Sequence, residues 1–130
     1  MGHFIYMIIK TERDTKDYYC VYKISFGKFC YYGMTSDLLR RKMRHAYDIN
    51  IIIKNKWHNL TTVQTKRLSF HHKVATLLVK RKVKKIDSYT LMFHICYQTD
   101  NVDEAKEVEL FLIQKAKKGK FNCCNTKVTL

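Results

Sequence analysis

The stretch from Tyr18 to Tyr32 constrains the fold more than any other part of the chain. Residues 18 to 25 and 29 to 32 are rich in β-branched and aromatic side chains, with Phe26-Gly27 between them, and this is the pattern of a β-hairpin closed by a tight turn. Pairing about that turn sets Tyr22 opposite Tyr31, so that both phenols project to one face of the sheet. Proline is absent and only 4 glycines occur in the chain, so few other positions punctuate it.

Downstream, Thr35, Ser36 and Asp37 offer N-caps for a helix from Asp37 to Asp48. Apolar spacing predicts a second helix from Thr65 to Lys82, a strand from Tyr89 to Thr99 and a last helix from Asp103 to Lys118. Phe4 to Lys10 is a candidate for a further strand. Strands and helices segregated in this way predict an α+β fold, a small antiparallel β-sheet flanked by helices. A length of 130 residues, with no internal repeat and no Ser- or Gly-rich linker, reads as a single domain whose motif-bearing core is 18–125.

The charge balance narrows the partners. Lys and Arg number 25 against 11 Asp and Glu, a formal net charge of +14, which suits a polyanion and above all a nucleic acid. The longest apolar run, Phe4 to Ile9, is too short to span a bilayer, and no leader pattern opens the chain. The expectation is an intracellular protein with no membrane partner. The 5 cysteines form no CxxC pair and read as free thiols. His71 and His72 diverge on a helix, and no second ligand pair stands at zinc spacing.

Two helices carry more than packing information. In the first, at about 100° per residue, Leu39, Met43, Ala46 and Tyr47 form one stripe while Arg41, Arg44 and His45 cluster opposite. That reading makes the arginine side a cation-presenting face. In the last helix, Ala105, Leu112, Ile113 and Ala116 share a face with Glu109, whereas Leu110 and Phe111 fall off it. A carboxylate in an apolar stripe needs a cation, a donor or a route to the surface. It either pairs at a cleft edge with a lysine or binds a divalent metal at the floor of a basic cleft. Between the two helices Lys66, Arg67, Lys73, Lys80, Arg81 and Lys82 make a strongly basic segment whose packing face is Phe70, Val74, Leu77 and Leu78. Those cations are expected to project outward and track a nucleic-acid backbone.

Taken together, these elements resemble the GIY-YIG nuclease family. Cys20, Val21 and Tyr22 stand where the family has its first triplet, and Tyr31, Tyr32 and Gly33 where it has its second. The following helix carries Arg41 and His45 at the matching positions, Glu109 within ELFLIQKA looks like the metal-binding glutamate, and Asn125 within CCNTK resembles the closing asparagine, with Asn122 as a competitor. Cys20 departs from the glycine that opens the first triplet. His58 is either a further histidine near the cleft or a surface residue.

The resemblance implies a DNA endonuclease that hydrolyses phosphodiester bonds with Mg²⁺ or Mn²⁺ held by Glu109. Tyr22 would be the general base, helped by Tyr31 or His45, and Arg41 would hold the phosphate. The partner would be double-stranded DNA, bound by Arg44 and the basic segment. A monomer would nick and a homodimer could cut both strands. Abundant Lys, Ile and Tyr with little Gly suit the AT-rich genome of a phage or mobile element, which would place the protein in a host cell's cytoplasm. The alternative is a catalytically idle nucleic-acid-binding module with the same fold.

Overall fold

In the computed structural model the described residues are 18–56, 70–119 and 123–125. Strands β1 (Tyr19–Phe26) and β2 (Phe29–Thr35) form the expected hairpin. Its register differs from the expectation. The loop is Gly27-Lys28, so Tyr22 pairs with Gly33 and Ile24 with Tyr31. Gly27 has φ 57°, which suits the first loop position of a two-residue turn; pairing about Phe26-Gly27 would move Phe26 into that position instead. Tyr22 and Tyr31 are thus diagonal neighbours and still share a face, because the register moved by an even number of residues.

Strand β3 (Met92–Thr99) pairs antiparallel with the other side of β1, giving the order β2-β1-β3. Its start is later than expected because Asp87 organises a turn there, its carboxylate accepting from the Tyr89 N–H at 2.8 Å. Opposite Val21 and Tyr22 the β3 partner steps from Tyr97 to Ile95, leaving Cys96 as a bulge. β1 is therefore the central strand, and Cys20, Val21, Tyr22 and Ile24 are wholly buried.

Helix α1 (Leu38–Lys54) begins where expected, with the Asp37 side chain accepting from the Arg40 N–H, but runs well beyond Asp48. The extension carries Ile49 and Ile52 into the core. Helix α2 (Phe70–Lys80) matches the later part of the second predicted helix; residues 65–69 and the candidate strand Phe4 to Lys10 lie outside the described residues. Helix α3 (Val102–Lys118) is capped by Asn101, which accepts from the Glu104 N–H. The result is the α+β architecture read from the sequence.

Period-two alternation sorts the sheet into two faces. Cys20, Tyr22 and Ile24, with Tyr31 and Phe93, pack against Leu38, Ala46, Ile49 and Ile52 of α1 and Phe70, Val74 and Leu78 of α2. On the other face Cys30 and Tyr32 pack against Ile113 and Ala116 of α3. Asn50 fastens the segment before β3 to α1, donating to the Ile86 carbonyl at 2.8 Å and accepting from its N–H at 2.9 Å. No helix among the described residues is long and apolar enough to cross a membrane.

Candidate functional site

The main correction concerns which way α1 faces. Leu38, His45, Ala46, Ile49 and Ile52 are its buried residues, whereas Leu39, Met43 and Tyr47 are exposed. The two added turns decide this, since Ile49 and Ile52 align with Leu38 and His45 and outweigh the Leu39-Met43-Tyr47 stripe. His45 therefore points into the protein and not out with the arginines.

Its burial brings it to Tyr22. The Tyr22 hydroxyl lies 2.8 Å from His45 Nε2, and His45 Nδ1 lies 2.7 Å from His71 Nε2 of α2. The Arg41 guanidinium lies near enough to the phenol to favour its ionised form. Burial disfavours both a phenolate and an imidazolium, and one neutral assignment has the phenol O–H donate to His45 Nε2. His45 Nδ1–H then donates to His71 Nε2, an assignment that gives each shared proton in the chain an acceptor. Tyr31 closes one side, its ring centroid 5.6 Å from that of His45 and 5.7 Å from that of Phe70. Phe93 closes another, 5.5 Å from the Tyr22 ring.

Burial sets the protonation of this chain. It pushes the Tyr22 phenol upward, Tyr31 adds to the shift, and Arg41 opposes it. Burial lowers His45 to about 3, with His71 and Arg41 contributing, and it lowers His71 too, although Asp48 pulls the other way. At neutral pH the resting chain is phenol, imidazole, imidazole, all uncharged. Three thiols are also kept protonated: burial raises Cys30 to about 11 and raises Cys96 and Cys124.

Gly33 makes room for this arrangement. A Cβ at Gly33 would collide with the hydroxyl and ring of Tyr22, so the cross-strand partner of Tyr22 must lack a side chain.

Beside Arg41 opens a groove of about 780 Å³ lined by Thr35, Ser36, Asp37, Arg40, Arg41, Met43, Arg44 and Tyr47. Three guanidinium groups face one carboxylate, and that carboxylate caps α1. Arg41 thus belongs both to the groove and to the buried chain. Arg44 is anchored by Asp48, with Nε 3.1 Å from the carboxylate. No family model, curated protein or solved structure matches this chain. Its chemistry must be argued from the side chains themselves.

The remaining predicted residues occupy other places. Glu109 is buried, at 6% exposure, on the same side of α3 as Ala105, Ile113 and Ala116, as the helical wheel predicted, and so belongs to the layer across the sheet from His45. Leu112 of the predicted stripe is only partly buried, while Leu110 is buried. Asn125 holds the backbone of Tyr32, accepting from its N–H at 2.8 Å and donating to its carbonyl at 2.6 Å. Its amide therefore fixes the strand that carries Tyr31.

The predicted DNA-binding cations divide between two ends of the hairpin. Arg44 lines the groove beyond Thr35, whereas Lys73 lies over the Phe29 ring and Arg81 over the Phe26 ring at the hairpin tip. The length of β2 separates these sites by about 20 Å. Lys80 and Lys82 are exposed; Lys66, Arg67, His58 and Asn122 lie outside the described residues. His71 was missed as a site residue. Its only sequence signal was a polar ring beside Phe70 within an amphipathic helix.

Proposed function

We propose that the chain is a divalent-metal-dependent endonuclease of the GIY-YIG type that hydrolyses phosphodiester bonds in DNA. The observation that carries this reading is the buried chain from Tyr22 through His45 to His71, joined by Arg41 to a basic groove. Proton transfer and phosphate binding meet at one side chain there, and phosphodiester hydrolysis needs both.

The raised Tyr22 phenol is too weak an acid to wait as a phenolate. It works better as a relay. As the attacking water loses a proton to the phenol oxygen, the phenol passes its own proton to His45 Nε2, and His45 Nδ1–H shifts toward His71. Asp48 favours positive charge on His71, so charge moves away from the reacting centre. Arg41 donates to the phosphoryl oxygens as negative charge builds, a task that suits its planar fork.

Among the described residues no three His, Cys, Asp or Glu side chains converge on a ready-made metal cage. Magnesium does not require one: a single carboxylate with water and substrate oxygens is an ordinary set for it, and Glu109 is the carboxylate the resemblance assigns to Mg²⁺ or Mn²⁺. When bound, the ion would polarise a phosphoryl group, but α3 carries Glu109 on the sheet face opposite Tyr22 and His45, so the roles of Tyr22, His45 and Arg41 do not depend on it.

The test is relaxation of supercoiled plasmid by the purified chain, with Mg²⁺ or with chelator, beside Glu109→Gln. Nicked circles should form only with metal, and the variant should bind DNA without cutting it. Cutting that survives both chelation and the substitution would place the chemistry elsewhere. A second reading, a nucleic-acid-binding module without catalysis, is favoured by the depth of Tyr22, whose side chain is wholly buried. In that case neither the metal nor Glu109→Gln would alter a plasmid that is bound but never cut.

A further inference from the structure

The outward face of α1 is the least expected surface in the protein. Leu39 is 38% exposed and Met43 and Tyr47 are each 58% exposed. They are four residues apart in turn, so they stand one above another on a single ridge. Met43 and Tyr47 also line the groove, together with Arg40 and Arg44, and the Arg44 guanidinium lies 6.0 Å from the centre of the Tyr47 ring.

We infer that this ridge is a base-stacking platform, on which unpaired nucleotides of a nucleic-acid strand lie against Tyr47 and Met43 while Arg40 and Arg44 hold the adjoining phosphates. The inference rests on the reading of the groove as a nucleic-acid site. An aromatic ring flanked by guanidinium groups offers a strand both things it presents: a flat π-face and a phosphate. Stacked bases in a duplex hide their faces, so the ridge selects nucleotides that are single-stranded or turned out of the stack. From Leu39 to Tyr47 the helix rises about 12 Å. At about 3.4 Å per stacked nucleotide the ridge spans about three or four of them. A second copy of the chain is a poor occupant, because two such faces would bring arginines against arginines.

The experiment is an anisotropy titration with a dye-labelled single-stranded oligonucleotide and with the same strand carrying central abasic sites, at several salt concentrations. Wild type should bind the base-bearing strand about tenfold or more tightly than the abasic one. Met43→Ala/Tyr47→Ala should erase that preference and leave the salt slope unchanged, while Tyr47→Phe keeps it, because stacking needs only the ring. Arg40→Ala/Arg44→Ala should keep the preference and lower the salt slope by up to about two. These side chains are exposed, so unchanged thermal melting serves as the folding control. Binding of both strands with equal strength by wild type, or a preference that survives loss of Met43 and Tyr47, overturns the platform but leaves the phosphate-binding groove intact. Failure to bind either strand or duplex removes the nucleic-acid reading together with it. Sedimentation that shows a dimer broken by Tyr47→Ala would make the ridge a self-interface and overturn the inference.

Discussion

Nδ1 of His45 lies 2.7 Å from Nε2 of His71, a direct contact between the buried face of α1 and α2. One ring must donate across this contact, and donation from His45 Nδ1 leaves its Nε2 to accept from Tyr22. Burial keeps the His71 ring neutral as well, against the pull of Asp48.

His71 is accordingly a positioning residue. His71→Phe should slow single-turnover DNA cleavage roughly tenfold or more with little change in DNA affinity, and His71→Gln, which can still accept from His45, should recover part of the loss. Nitrogen-15 spectra provide a readout independent of activity. Wild-type His45 should be protonated at Nδ1, and that signature should vanish in His71→Phe. An unchanged tautomer would reduce His71 to packing.

The same pair makes the fold acid-sensitive. A histidine near 6.5 when unfolded but held near 3 in the folded protein binds its proton only in the unfolded chain between those values. Stability is therefore full above about pH 6.5 and falls as the pH drops toward 3, by up to roughly 1.4 kcal/mol per pH unit for one such group. His71, lowered in the same direction, adds to the slope. Urea midpoints at pH 7 and pH 5 should differ, and the difference should shrink in His45→Gln. Equal midpoints would show that the ring is not buried neutral.

Tyr22 and Gly33 form a second coupled pair. Gly33→Ala should destabilise the protein by about 1–3 kcal/mol, because the added methyl meets the Tyr22 ring and hydroxyl. In a Tyr22→Ala background the same substitution should cost much less. A thermodynamic cycle that showed simple additivity would contradict the close approach.

Asn125→Ala should cost about 2–4 kcal/mol, since it leaves both the N–H and the carbonyl of buried Tyr32 without their partner. Asn125→Asp should be nearly as damaging, because a carboxylate accepts from the N–H but cannot donate to the carbonyl. Chemical denaturation measures both. Indifference to both changes would mean that water replaces the amide.

Much of this was legible in the sequence, and the failures have definite causes. Local signals sufficed for the hairpin, for the capped start of α1 and for Glu109 turning inward, because each depends on neighbours a turn or less away. The face of α1 was misread because the helix was stopped at Asp48. Without Ile49 and Ile52, the exposed ridge of Leu39, Met43 and Tyr47 looked like the packing side and His45 like a surface cation. The hairpin register slipped because Gly27 was given the second loop position and not the first. His71 was invisible for a different reason: its partner comes from another helix, and a contact across 26 residues leaves no periodic trace.

The central claim is that Tyr22 passes protons and Arg41 holds phosphate at one site. The most direct measurement is single-turnover cleavage of supercoiled plasmid in Mg²⁺ by wild type, Tyr22→Phe and Arg41→Ala, with DNA binding measured in parallel. The account predicts metal-dependent nicking by wild type, a loss of at least about a hundredfold in Tyr22→Phe with binding retained, and a comparable loss in Arg41→Ala. Nicking by Tyr22→Phe at the wild-type rate would contradict it.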